Sequence, residues 1–198
     1  MVIYVLRRVQ SSNRCPPKAE AEFGPPKSWG VTAVTDFDRL LHLCKGLDAD
    51  LSGWQVGSSD VHRRVTMSGM FTGASAFRGA GVGGWDVTAV AYMRFMFMNC
   101  TKFDADLSGW QVGRCVNMDR MFSGASAFRG VGVGGWDVGN CNDFMMMFYN
   151  TEAFDQNLSG WKVERGYDLT SGMFMHVEGR GAFDRRHAPW ATPKAFGE

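Results

Sequence analysis

No run of this chain approaches the roughly eighteen consecutive apolar residues that a membrane-spanning helix needs, so no span is expected. Net charge is missing too. Lys and Arg number 21 against 20 Asp and Glu, and the formal +1 at pH 7 gives no electrostatic reason to expect nucleic acid as a partner. Cysteine is sparse and odd in number, five in all, with no C-x-x-C and no histidine at metal-ligand spacing. His42, His62, His176 and His187 are scattered, and no Walker-type lysine, nucleophile elbow, carboxylate dyad or nucleophile–base pair stands out. No enzyme, cofactor or metal is therefore expected. The apolar start Met1–Leu6 meets Arg7-Arg8, which is too short for a signal-peptide core and has its charges on the wrong side. No export signal is visible.

What the chain has in excess is 25 Gly, 13 Met and 7 Trp. Together they point to tight turns recurring between buried rows. Residues 1–26, with Pro16-Pro17 and Pro25-Pro26, form an irregular lead-in or cap. From there an internal repeat takes over. Tryptophans stand at 29, 54, 85, 110, 136, 161 and 190, and Val follows two residues on at 31, 56, 87, 112, 138 and 163. A Met-Phe pair comes next at 70-71, 96-97, 121-122, 147-148 and 173-174, with Leu40-Leu41 in the first unit. Leu47, Phe77, Phe103, Phe128, Phe154 and Phe183 close the units. A longer period of 51 residues separates Trp85 from Trp136 and Trp110 from Trp161, as duplication of a two-unit block would leave.

Leu107-x-x-Trp110-x-Val112-x-x-Cys115 has the spacing of a leucine-rich-repeat strand, with Trp in a Leu place. Met118, Met121, Phe122 and Ala125 keep the i, i+3, i+4, i+7 period of one or two helical turns. The fold class expected is a repeat solenoid, leucine-rich-repeat-like, with one short parallel β-strand and one short helix or turn per coil of 25–26 residues. Six coils over residues 27–190 would make a rod on the order of 30 Å long. Residues 191–198 are left as a C-terminal tail. Extra residues around 57–63 and 178–181 are expected as outward loops.

Asn117-Met118, Met121-Phe122, Ala125, Phe128 and Trp136-Asp137-Val138, with Phe154, Gln156, Leu158, Ser159 and Trp161, closely resemble the BspA-like surface-protein repeats. Those are relatives of leucine-rich repeats found in mycoplasma-type lipoproteins. The resemblance covers residues 29–190 and implies a non-enzymatic, surface-exposed scaffold for adhesion or recognition. It carries no catalytic residues. The Gly-rich alternate bends depart from the pattern.

Several motifs have a plain architectural alternative. Gly79–Gly84 and Gly130–Gly135 satisfy G-x-G-x-x-G, yet they precede the expected strand and open no long helix, so coil turns are expected over a dinucleotide site. The Trp row is either a buried stack beside Val or an exposed ladder for sugar rings. Asp48, Arg78, Asp104, Arg129 and Asp155 alternate and suggest an ion ladder between coils. The Asp48/Asp50 and Asp104/Asp106 pairs are the alternative, as Ca²⁺ ligands. Cys115 and Cys141 share one repeat position, either as small buried thiols or as a bridge.

The remaining candidate is the strand face beside Trp and Val, where Gln55, Asp86, Gln111, Asp137 and Lys162 follow the tryptophans. Flat and mildly polar, it suits a protein ligand or a cell-surface glycan. Uncapped coil ends would add a route to self-association.

Overall fold

The computed structural model describes residues 24–57, 64–163, 169–177 and 183–198. The lead-in expected over residues 1–26 lies almost wholly outside these, as do most of the loops expected near 57–63 and 178–181.

The units stack in parallel, and most of the contact between them is made by turns. In Met93–Cys100, Met96, Met98 and Cys100 donate their N–H groups three residues back, to Met93, Phe95 and Phe97. The intervening N–H groups go forward to the next unit: Met93 to Asn117 at 3.0 Å, and Phe95 to Asp119, Phe97 to Met121 and Asn99 to Ser123 at 2.8 Å. Each of the first five units shows this pattern. The Thr66 carbonyl accepts from Phe37 at 2.9 Å, and the N–H of the same peptide, on Met67, donates to Tyr92 at 2.9 Å. Four such columns of peptides run through the stack, entering the second unit at Thr66, Ser68, Met70 and Thr72.

This explains why no α-helix forms among the described residues, although the apolar period of one is present. An α-helix needs negative φ throughout and spends each N–H on the fourth residue back. Here Phe95 and Asn99 both have φ +59°, and Arg120 with Gly124 and Met146 with Asn150 repeat the left-handed pair. The chain therefore reverses every few residues, while Met118, Met121, Phe122 and Ala125 all stay fully buried. The period is real. Its cause is a ladder of turns.

Strand pairing also lies elsewhere than at Trp-x-Val. The strands β1 (Val65–Thr66) and β2 (Val90–Tyr92) pair in parallel, Val65 with Val90 and Thr66 with Tyr92. Single bridges extend the ladder from Asp36 to Thr66 and from Tyr92 to Asn117. Trp85 and Trp136 are extended, with ψ 139° and 136°, and each follows a short 3-10 turn, Val82–Gly84 or Val133–Gly135. Trp and Val still share the inward face, since alternation along an extended segment turns both the same way.

Inside, aromatic side chains form continuous files. Phe71, Phe97, Phe122, Phe148 and Phe174 stack with centroids 5.4–6.0 Å apart. Each also meets the unit-closing Phe beside it, as Phe97 meets Phe103 at 4.0 Å. Each ring removes about 150–250 Å² from water, worth about 4–6 kcal/mol before the cost of ordering.

The Gly-rich bends fit between neighbouring units. A Cβ on Gly81 (φ +86°) would fall 2.1 Å from the Ser52 nitrogen, and one on Gly132 (φ +90°) would fall 2.1 Å from that of Ser108. Gly79 faces the Phe103 ring of the following unit in the same manner. The bends are thus coil turns pressed from both sides, which accounts for the two-unit alternation.

The ion ladder is broken into pairs. Arg78 meets Asp48 at 2.9 Å and Arg129 meets Asp104 at 2.7 Å, each Arg holding the Asp of the preceding unit. Asp155 stands 3.8 Å from His187 instead. At the C-terminal end the carbonyls of Lys194 and Ala195 accept from Gly172 and Phe174, and Phe196 stacks on Phe174 at 5.3 Å. Residues 193–196 form a short 3-10 turn that covers this end of the stack.

Candidate functional site

Gln55, Asp86, Gln111, Asp137 and Lys162 are all exposed, each between a buried Trp and the Val that follows. The stack places them one per unit along one surface. Two are partly committed. Asp86 accepts the N–H of Thr88 at 3.0 Å and its hydroxyl at 2.6 Å, and Asp137 accepts the N–H of Gly139 at 3.2 Å. The second carboxylate oxygen of each leans back over a glycine of the preceding unit, Gly57 or Gly113. Gln111 and Asp137 come together at a shallow depression of about 450 Å³, with Arg114 and Ser108 on its rim. Gln55, Asp86 and Lys162 lie outside it.

A larger cleft, about 780 Å³, opens over the ladder of turns in the first three units. Arg39, Arg64 and Arg94 line it, with Tyr92, Phe95 and Met98 as an apolar wall. Asp38 sits within it and accepts from the Thr66 hydroxyl at 2.5 Å and the Ser68 N–H at 2.6 Å. The Arg94 guanidinium lies 4.6 Å above the Phe95 ring, and that of Arg120 lies 5.8 Å from it. Between them Asp119 is buried and binds Arg120 at 2.8 Å. Burial raises the Asp119 carboxyl above its ordinary range, against the pull of Arg120. His42 is lowered, first by burial and then by the Arg39 charge.

The lining of this cleft recurs at fixed phases of the repeat, Asp38 with Ser68 and Arg94, Arg39 with Gly69 and Phe95, and His42 with Thr72 and Met98, but the residue type at each phase changes from unit to unit, so no repeated motif marks it in the sequence. A signal was present nonetheless. Aligned on the Met-Phe pair, the apolar core positions barely change, while the column two residues before it reads Asp38, Ser68, Arg94, Asp119, Met145 and Ser171.

Other candidates resolve into architecture. Trp54, Trp85, Trp110, Trp136 and Trp161 are 2–5% exposed, so the row is a buried stack and offers sugars no platform. Each indole N–H finds a carbonyl of the preceding unit, such as Trp110 on Val82 at 2.9 Å and Trp161 on Val133 at 3.0 Å. Asp50 and Asp106 each cap the Ser two residues on, and these hydrogen bonds lower both carboxyls. Among the described residues no three His, Cys, Asp or Glu gather as a metal site. Cys115 and Cys141 are free buried thiols, and Cys44 is disulfide-bonded. Cys100 donates its S–H to the Phe71 carbonyl at 2.9 Å.

No helix of the described residues is long and apolar enough to cross a membrane. Residues 23–79 and 65–190 match a family described as "Mycoplasma protein of unknown function, DUF285". Nothing matches among curated proteins or among solved structures.

Proposed function

Since the chain belongs to that Mycoplasma family, we propose that it is a non-enzymatic recognition or adhesion scaffold of the BspA-like kind, a leucine-rich-repeat-like solenoid working at a cell surface. Its ligand is a protein, held along the row Gln55, Asp86, Gln111, Asp137 and Lys162. The observation carrying this reading is that five polar side chains recur once per unit, all exposed, on a framework whose interior barely varies. Framework residues spend their polarity inward. Gln111 and Lys162 make no hydrogen bond or ion pair among the described residues, which leaves their polar ends for a partner.

The test is a binding screen of the folded chain against an array of surface proteins, followed by Gln111→Ala combined with Asp137→Asn. The Asn keeps an oxygen for the Gly139 cap. A specific protein ligand whose affinity drops about ten-fold or more in the double variant is expected, in line with loss of a central contact. An empty screen, or a ligand indifferent to both changes, sinks the reading.

A further inference from the structure

The cleft over the turns shares no residue with the Gln111–Asp137 depression, and its chemistry is different. Three guanidiniums reach it from successive units. Arg39 and Arg64 are exposed and have no ion-pair partner among the described residues, while Arg94 is only 3.9 Å from Asp119 at its far side. Beside them stand Tyr92, 37% exposed, and the half-buried Phe95 and Met98, with the Arg94 guanidinium over the Phe95 ring. Large apolar and cationic side chains facing one open cleft have no purpose in the packing of the stack, since none belongs to its buried files.

We propose that this cleft binds an acidic peptide segment of a protein partner, one in which carboxylates alternate with apolar side chains. Guanidinium forks pair with carboxylates through two parallel hydrogen bonds, and Arg is chosen for such sites over Lys. Neighbouring units lie ~4.8 Å apart, so Arg39 and Arg94, two units distant, are separated by about 10 Å along the stack. An extended peptide presents side chains of one face every ~7 Å, which brings acidic groups a few residues apart onto both forks. Apolar side chains of the same segment then meet Tyr92, Phe95 and Met98. A dense polyanion such as a sulfated sugar chain fits less well, because Tyr92, Phe95 and Met98 would meet nothing apolar on it.

The experiment is fluorescence anisotropy on the full chain with a short labelled peptide of alternating Glu and Leu or Phe. The comparison ligands are the same peptide with Lys for Glu and a heparin-type oligosaccharide. Arg39→Asn keeps a residue that accepts the left-handed backbone at position 39 (φ +56°), and Arg64→Gln removes the second charge at an exposed site. The acidic peptide is expected to bind, more weakly as salt rises, and to lose about ten-fold in affinity with each substitution. Gln111→Ala should leave it unchanged, so this proposal and the row of the preceding section fail separately. Equal binding of the Lys peptide, binding confined to the sulfated oligosaccharide, or full affinity in Arg64→Gln overturns it. If Arg39→Asn does not fold, Arg64→Gln alone decides.

Discussion

Trp110 hangs from Val82: its indole N–H donates to that carbonyl at 2.9 Å across the junction of two units, while its ring lies nearly parallel to Trp136 at 6.1 Å. The contact joins hydrogen bonding and stacking in one side chain. Trp110→Phe keeps most of the apolar area but leaves the Val82 oxygen without its donor, so a cost of about 1–3 kcal/mol is expected. Trp110→Ala adds a cavity and is expected to cost about 3–5 kcal/mol. Urea unfolding of the two variants measures both. In the intact protein, tryptophan emission should be blue-shifted and poorly quenched by acrylamide. Red-shifted, readily quenched emission would contradict the buried row.

Glycines in the bends divide sharply. Gly81→Ala places a methyl group against the Ser52 backbone at a left-handed φ, and should destabilise by more than the ~1–3 kcal/mol of the backbone conformation alone. Gly84 stands three residues away in the same bend with nothing within 4 Å of its added Cβ. Gly84→Ala should be neutral or stabilising by up to about 1 kcal/mol. Thermal melts of the pair test whether close approach of the units is what demands glycine.

Burial pushes the thiols of Cys100, Cys115 and Cys141 up to about 12. In the unfolded chain they ionise near 8.5. Between those values the unfolded state has released protons that the folded state still holds, so stability is complete below the window and falls as pH rises through it. Unfolding measured across that range should show the decline, with a shallower slope in Cys115→Ala. At neutral pH these three should resist a thiol reagent until denaturant is added.

The exposed pair Arg129–Asp104 should matter little to stability. Its Arg side chain is 66% exposed, and such pairs contribute about 0–1 kcal/mol. Arg129→Ala is expected to move the melting curve within that margin, and salt to erase most of the difference. A larger loss would mean that the pairs fix the order of the units after all.

Much of the core was legible because burial repeats with the sequence. Trp54, Met70, Phe71 and Phe77 occupy columns that recur through the chain, and every one is buried. The backbone between those columns was not legible. Left-handed residues were hidden because Arg39, Leu43, Phe95 and Met146 hold places that Gly69, Gly73, Gly124 and Gly172 hold in other units. Only the columns with their glycines disclose the turn; a single unit resembles a helix. Of the five row residues, all proved exposed, yet only Gln111 and Asp137 share a depression. The arginine cleft was hidden for another reason: its positions recur, but their side chains change from unit to unit, as Asp38, Ser68 and Arg94 do, and a repeat is read from what stays constant.

The four columns of peptides have a direction. Each peptide accepts from the unit before it and donates to the unit after it, so their dipoles add along the stack. The α-helix sums its dipoles in the same way, with its positive end at the N-terminus because N–H groups point there. Here the N–H groups point toward the C-terminal end, and the sign is reversed. Partial positive charge is therefore expected on the C-terminal side of the ladder of turns and partial negative charge on the side of its first unit. Bonds linked head to tail also polarise one another, so each added unit strengthens those already present. A chain lengthened by a further two-unit block would bind its interior more tightly and carry a larger field at its ends.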